Sequence, residues 1–311
     1  MRVLFFGTPE FAVPSLLALL GEGFDVVGVV TRPDQPTGRH RSKASPSSVK
    51  IAALAEEIPV LQPDRPSADE FLAEVAGLAP DISAVVAYGH ILPERLLSVP
   101  RLGSVNIHAS LLPALRGAAP IQRAILKGFT ETGVTIIQMD AGMDTGPILH
   151  RVTTPILSDE TGGELSVRLA EMGALALVEA LTLMEETGLT PQPQDGAQAT
   201  YAPKLTREEE RIDWRSGEGG GAEAVTRRIR AFDPTPGAWT ECRGLAIKLF
   251  GARAAEGNGK PGEVLVAGEL LRIACGGGSV EVSDVQPAGR ARMSVKAFVN
   301  GRGVAKGDVL A

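Results

Sequence analysis

Arg2-Val3-Leu4-Phe5-Phe6-Gly7-Thr8-Pro9 passes from an apolar run into a turn, and Glu10 to Leu20 then carries apolar residues at helical spacing. Asp25 to Thr31 follows as a second apolar run rich in valine. Strand, helix and strand in this order predict a parallel sheet covered on both faces, because strands buried on both sides read as near-continuous Val/Ile/Leu runs. The turn lacks the Gly-x-Gly-x-x-Gly fingerprint, so a dinucleotide cofactor is not supported. Further strands are expected at 82–87 and 104–108, with helices near 47–57, 68–78 and 119–127 and a long one at about 163–186. The whole reads as an α/β, Rossmann-like domain. Ligands of such open sheets bind in the crevice beyond the carboxyl ends of the strands.

Val105-Asn106-Ile107-His108-Ala109-Ser110-Leu111-Leu112-Pro113 reaches that edge. In an extended segment side chains alternate, so Asn106 and His108 share one face while Val105, Ile107 and Ala109 share the other. An amide and an imidazole on an apolar strand are costly to bury unless something uses them. From the strand alone two readings stay open: a functional pair, or a core pair satisfied by backbone partners. Asp140 and Asp144 lie in a segment punctuated by Gly142 and Gly146, after the alternating run Val134 to Met139. Such a loop can bring an acid to a strand end. Asn, His and Asp together suit acyl transfer: the amide donates to a developing oxyanion, the imidazole holds or moves a proton, and the carboxylate fixes the imidazole.

A chain of 311 residues is comfortable for two domains. No run approaches the roughly 20 apolar residues of a membrane span, and Arg2 with the run behind it reads as a first strand rather than a signal peptide, so a cytoplasmic protein is expected. Cys242 and Cys275 have no histidine nearby in sequence and read as small apolar residues, not as a disulfide or a metal site. The net charge of −6 argues at first against a polyanionic partner. Its distribution softens the objection. Residues 1–206 hold 15 basic and 23 acidic side chains, and residues 207–311 hold 16 and 14.

Residues 187–205 are rich in Gly, Pro, Gln, Thr and Asp without apolar period and read as a linker. The domains are therefore expected at 1–186 and 207–311, joined by a linker over 187–206. The second has one expected helix, 222–231, and then short apolar runs at 246–250, 262–266, 270–274 and 280–285, which suggest a small β-barrel. Basic residues cluster twice: as Arg39, Arg41 and Lys43 in the 32–48 loop, where Pro33, Pro36 and Gly38 oppose regular structure, and as Arg227, Arg228 and Arg230. Each cluster reads equally as a solvated surface.

Asn106-Ile107-His108 before Ser110-Leu111-Leu112-Pro113, with Met139-Asp140-Ala141-Gly142-Met143-Asp144-Thr145-Gly146 behind, resembles the folate-dependent formyltransferases. Phe6-Gly7-Thr8-Pro9-Glu10-Phe11-Ala12, Val86-Ala87-Tyr88-Gly89, Arg116 to Arg123 and Tyr201-Ala202-Pro203-Lys204-Leu205 are similar to those members that act on methionyl initiator tRNA. The resemblance covers nearly the whole chain and is densest at 85–150. It implies 10-formyltetrahydrofolate as co-substrate, no metal, initiator methionyl-tRNA as partner rather than DNA or a membrane, and an OB-like tRNA-binding barrel as second domain. It also implies Asn106, His108 and Asp144 as catalytic residues and Ser110, Leu111, Leu112 and Pro113 as folate contacts. The turn at 88–92 falls near the pterin, and Arg39, Arg41, Lys43 and Lys204 become tRNA contacts.

Two departures stand out. Gly38-Arg39-His40-Arg41-Ser42-Lys43 replaces the family's Gly-Arg-Gly and basic run, and Asp233-Pro234-Thr235-Pro236-Gly237 replaces Asn-Pro-Trp-Pro-Gly. Two rival functions stay open: a formyltransferase for a small amine such as glycinamide ribonucleotide, and a non-enzymatic tRNA-binding protein. The first leaves about a third of the chain without a role. The second has no use for the Asn/His/Asp set.

Overall fold

The computed structural model describes residues 1–37, 43–186, 188–215 and 221–311. They divide into two units: Met1–Gly117, Thr132–Thr154 and Ser166–Tyr201 in one, and Ala118–Glu131, Pro155–Leu165 and Ala202–Ala311 in the other. No helix among the described residues is long and apolar enough to cross a membrane.

Along the chain, β1 (Arg2–Gly7), α1 (Val13–Gly21) and β2 (Asp25–Val30) form the expected β-α-β opening. They are followed by the hairpin β3 (Gln35–Thr37) and β4 (Lys43–Ser45), then α2 (Ser48–Ala55), β5 (Val60–Leu61), α3 (Asp69–Gly77) and β6 (Ile82–Val86). Next come α4 (Glu94–Leu97), β7 (Ser104–His108), α5 (Pro120–Leu126), β8 (Glu131–Gln138), β9 (Ile148–Pro155) and α6 (Gly162–Glu186). One sheet of order β5-β2-β1-β6-β7-β8-β9 results. Pairing is parallel from β5 to β7, and β8 runs antiparallel to β7. Val3 to Phe6 are fully buried, as a strand covered on both faces requires.

Register aligns the functional edge. Gly7 lies beside Val86, Val85 beside Asn106, and His108 opposite Thr135. The turns after β1, β6 and β7 therefore emerge side by side at the carboxyl edge, and Thr8 Oγ1 donates to the Tyr88 carbonyl at 2.8 Å.

The 32–48 loop differs from its sequence reading. Gln35, Pro36 and Thr37 pair with Ser45, Ala44 and Lys43 as a two-stranded ribbon. Both strands of a ribbon are edges, where the missing proline donor can face outward without loss. Its root is tied down: Lys50 Nζ donates to Asp34 at 2.8 Å and to Gln62 Oε1 at 2.6 Å, and Gln62 Nε2 donates to the Arg32 carbonyl at 2.8 Å. The Lys50 hydrogen bond is the main cause holding the Asp34 carboxyl below its usual range. Arg39 and Arg41 lie outside the described residues.

In the second unit α7 (Gly221–Phe232) precedes β10 (Trp239–Cys242), β11 (Leu245–Phe250), β12 (Arg253–Ala255), β13 (Val264–Ala267), β14 (Leu271–Ala274), β15 (Ser279–Val282), β16 (Asp284–Pro287), β17 (Met293–Ser294) and α8 (Val295–Asn300). The strands form two four-stranded antiparallel sheets, β10-β11-β16-β17 and β12-β15-β14-β13. Trp214, Ile229, Phe232, Leu249, Ile273 and Val280 belong to one apolar cluster of this unit. Both cysteines are buried and free, and burial pushes the Cys275 thiol up to about 11.

The stretch read as a linker is fastened to the first unit as far as Tyr201. Ile148 and Gln192 exchange backbone hydrogen bonds at 2.7 and 2.8 Å, and Arg116 N donates to the Thr200 carbonyl at 2.9 Å. A polar, proline-rich segment without apolar period makes few core contacts, yet its backbone groups still need partners.

Candidate active site

β7 sends Val105 and Ile107 into the core and presents Asn106 and His108 on the opposite face. His108 is 5% exposed. Its Nε2 lies 2.9 Å from the Leu115 carbonyl, and its Nδ1 lies 3.5 Å from Asp144 Oδ1. Each ring nitrogen thus faces an oxygen, one a backbone carbonyl and the other a carboxylate. Asn106 is half-buried, and its side-chain amide has no hydrogen-bond partner among the described residues. It lies two residues before His108, on the same face of β7.

Asp144 arrives on the glycine-punctuated loop. Asp140 Oδ1 accepts from Gly142 N at 3.0 Å and Thr145 Oγ1 at 2.7 Å, which folds the loop on itself. A Cβ at Gly146 would stand 1.8 Å from the Gln138 carbonyl, so no larger residue fits there. The loop turns Asp144 into the left-handed region, φ 55°, where aspartate is tolerated better than most residues. Its Oδ2 accepts from Gly117 N at 2.8 Å, leaving Oδ1 for His108.

Sequence reasoning missed Gln194. Its Nε2 donates to the carbonyls of Asp144 at 2.9 Å and Gly146 at 2.7 Å, and its Oε1 accepts from the buried Arg116 at 2.7 Å. A glutamine in an aperiodic Pro/Gly-rich stretch carries no local signal of such a contact. Thr200, also in that stretch, accepts from Leu115 N through Oγ1 at 2.9 Å.

The 110–113 turn divides into two roles. Ser110 is 1% exposed with its hydroxyl donated to the Ala114 carbonyl at 2.6 Å, and Leu112 is fully buried, its amide bonded to Thr135 Oγ1 at 3.1 Å. Leu111 and Pro113 are half-buried and present partly open surface. At the neighbouring turn the Tyr88 hydroxyl is buried without a partner among the described residues. Burial pushes it up to about 12, against the pull of the Arg32 guanidinium. His90 is exposed, its ring tilted against that of Tyr88 at 5.6 Å. Among the described residues no group of three or more His, Cys, Asp or Glu is gathered as a metal site.

Residues 1–181 match the formyl transferase family model, and residues 204–303 match that of the formyl transferase C-terminal domain. The chain belongs to the formyltransferase family. The methionyl-tRNA formyltransferase of Thiobacillus denitrificans is 48% identical over 314 residues, spanning 100% of this chain and 99% of the relative. That of Ruegeria pomeroyi is 47% identical over 310 residues and spans 100% of both. Among solved structures, methionyl-tRNA formyltransferase from Clostridium thermocellum shares the fold with a TM-score of 0.56 at 16% identity, over 84% of this chain and 95% of that one.

Within this formyltransferase the basic residues separate by environment. Lys204 is exposed in the second unit, and Lys43 lies in β4. Arg228 instead donates to the Glu209 carbonyl, and Arg230 to those of Glu160 at 2.9 Å and Leu157 at 2.8 Å. Burial pulls both guanidinium groups below the ordinary arginine value. A cluster that reads as solvated surface in sequence thus includes two arginines engaged with backbone carbonyls. Asp233, at the variant Pro-rich turn, is also internally engaged: it accepts from Gly251 N at 3.0 Å and Arg292 Nη1 at 2.9 Å.

Proposed function

We infer that this chain transfers the formyl group of 10-formyltetrahydrofolate to the α-amino group of methionine on initiator tRNA, giving N-formylmethionyl-tRNA for translation initiation. The observation that carries the reading is the His108–Asp144 pair at the carboxyl end of β7, with Asn106 on the same face of that strand, in a chain that matches formyl transferase models in both domains and a methionyl-tRNA formyltransferase over its full length.

An α-amino group titrates at roughly 7.7–8.0, so free amine is present at neutral pH and the protein must supply orientation and charge stabilisation. The amine nitrogen adds to the formyl carbon, the C=O π pair moves onto the oxygen to make an oxyanion, and its return breaks the carbon bond to folate N10 while the amine's proton ends on that nitrogen. Asn106 donates to the growing oxyanion. His108 keeps its Nε2–H on the Leu115 carbonyl and turns its Nδ1–H, held only loosely at 3.5 Å from Asp144, toward the same oxygen. Asp144 balances the imidazolium charge and, through water, helps move the amine's proton.

Folate lies against the 110–113 turn, with Leu111 and Pro113 touching it while Ser110 and Leu112 shape the turn, and the 88–92 turn flanks the pterin. Arg39, Arg41, Lys43 and Lys204 neutralise tRNA phosphates. Residues 1–186 carry the chemistry and 207–311 hold tRNA, with 187–206 between them. Acting on charged tRNA and not on DNA, the enzyme works in the cytoplasm.

Incubation with 10-formyltetrahydrofolate and charged initiator tRNA, followed by mass analysis of the amino acid released, tests this reading. Formylmethionine is the expected product. Formylation of glycinamide ribonucleotide with none on tRNA would replace it by the small-amine reading.

A further inference from the structure

Both acceptors that flank His108 are held by one short segment. Leu115, whose carbonyl takes His108 Nε2, is fixed through its amide by Thr200 Oγ1 at 2.9 Å. Asp144, which faces Nδ1, is fixed through its carbonyl by Gln194 Nε2 at 2.9 Å. Leu115 and Asp144 both have left-handed backbones, with φ of 60° and 55°. A residue with a Cβ keeps that conformation only where its surroundings over-determine it.

The Gln194 amide is fully used. Its Oε1 accepts from Arg116 Nε at 3.1 Å and Nη2 at 2.7 Å, and its two hydrogens go to the carbonyls of Asp144 and Gly146. Arg116 is 6% exposed and sits next in sequence to Leu115. A single side chain thus links the turn carrying one partner of His108 to the loop carrying the other. The Gln194 amide therefore has no donor or acceptor left over for substrate.

We propose that Gln194 is a positioning residue for the transfer reaction, setting the distance between Asp144 and His108, with Thr200 as the second fixing point. The segment read as a tether is then part of the site. The inference rests on the reading that His108 and Asp144 serve formyl transfer. A residue that acts through the geometry of others changes turnover more than substrate binding, and a displacement of about 1 Å costs up to roughly 10²-fold in rate.

The test compares Gln194→Glu, which keeps size and the acceptor for Arg116 but loses both amide donors, with wild type. A second pair, Thr200→Val and Thr200→Ser, removes or keeps the acceptor at an exposed position. Thermal unfolding, and kcat and KM for both charged initiator tRNA and 10-formyltetrahydrofolate, are measured for each. A folded Gln194→Glu protein is expected to lose about 10- to 10²-fold in kcat with each KM within about twofold. Thr200→Val is expected to lose severalfold in kcat while Thr200→Ser stays near wild type. A folded Gln194→Glu protein with wild-type kcat, or with a raised KM alone, overturns the inference. Should Gln194→Glu not fold, the Thr200 pair decides: loss in Val and retention in Ser supports it, and equal kcat overturns it. A wild-type protein that makes no formylmethionine rejects the functional reading instead, which keeps the two failures apart.

Discussion

Asp144 in the first unit and Asp233 in the second each accept a backbone amide, from Gly117 at 2.8 Å and Gly251 at 3.0 Å, yet their free oxygens meet different partners. Asp233 takes a guanidinium of Arg292 at 2.9 Å and its side chain is 5% exposed, whereas Asp144 faces an imidazole at 3.5 Å and is 17% exposed. The first arrangement is closed: a charge-assisted bond at ordinary distance, itself braced by Arg292 lying 4.3 Å over the Phe250 ring. The second keeps a loose contact on the strand face that also carries Asn106, whose amide has no partner among the described residues. Buried polar groups that are saturated hold a fold together, and those with spare donors at a strand end are available to a substrate.

The largest effect expected from this contrast is on turnover. His108→Ala and Asp144→Asn should each lower kcat/KM on charged initiator tRNA by about 10²–10³, the usual loss for a group that stabilises a developing oxyanion, with little change in Tm. Asn at 144 still accepts from Gly117 N, so steady-state kinetics on a folded variant isolates the charge. Retention of more than about a tenth of the activity breaks the comparison from the catalytic side.

Asp233→Ala should do the reverse. It strands Gly251 N and removes one of the two carboxylates that Arg292 meets, the other being Asp284 at 3.4 Å, which costs about 1–3 kcal/mol of stability. Denaturant titration should register that loss while kcat per folded molecule stays at the wild-type value. A fall in kcat at unchanged stability would give Asp233 the role assigned here to Asp144.

The smallest effect concerns salt. Replacing Arg39, Arg41 and Lys43 together with Ala should flatten the log–log dependence of tRNA binding on salt by up to about 0.9 for each phosphate no longer neutralised, the value for duplexes. Arg230→Met, which removes bonds to two backbone carbonyls, should lower Tm and leave that slope alone. Equal slopes for the triple variant and wild type would assign phosphate neutralisation to other basic residues.

Much of the first unit was legible because its signals are local. The runs at 2–6, 25–31, 82–87 and 104–108 are strands since apolar continuity and buried parallel pairing are the same fact seen twice. Period-2 alternation put Asn106 and His108 on one face, and glycines marked the loop that carries Asp144. What escaped was non-local. The β3–β4 ribbon hid behind its prolines. Gln194 and Thr200 escaped because nothing in an aperiodic stretch says which backbone group, some 50 residues earlier for Asp144, a side chain will reach. Arg228 and Arg230 read as surface charge because composition cannot see the carbonyls that receive them.

We propose that spare hydrogen-bonding capacity at the end of β7 performs the transfer, and Asn106, half-buried where His108 is buried, is where it is most exposed. Single-turnover formylation by Asn106→Ala, with charged initiator tRNA and 10-formyltetrahydrofolate both saturating, measures it without interference from binding. The account predicts a rate about 10²–10³ below wild type at an unchanged Tm, as for the loss of an oxyanion donor. A folded variant whose rate stays within about tenfold of wild type would contradict it.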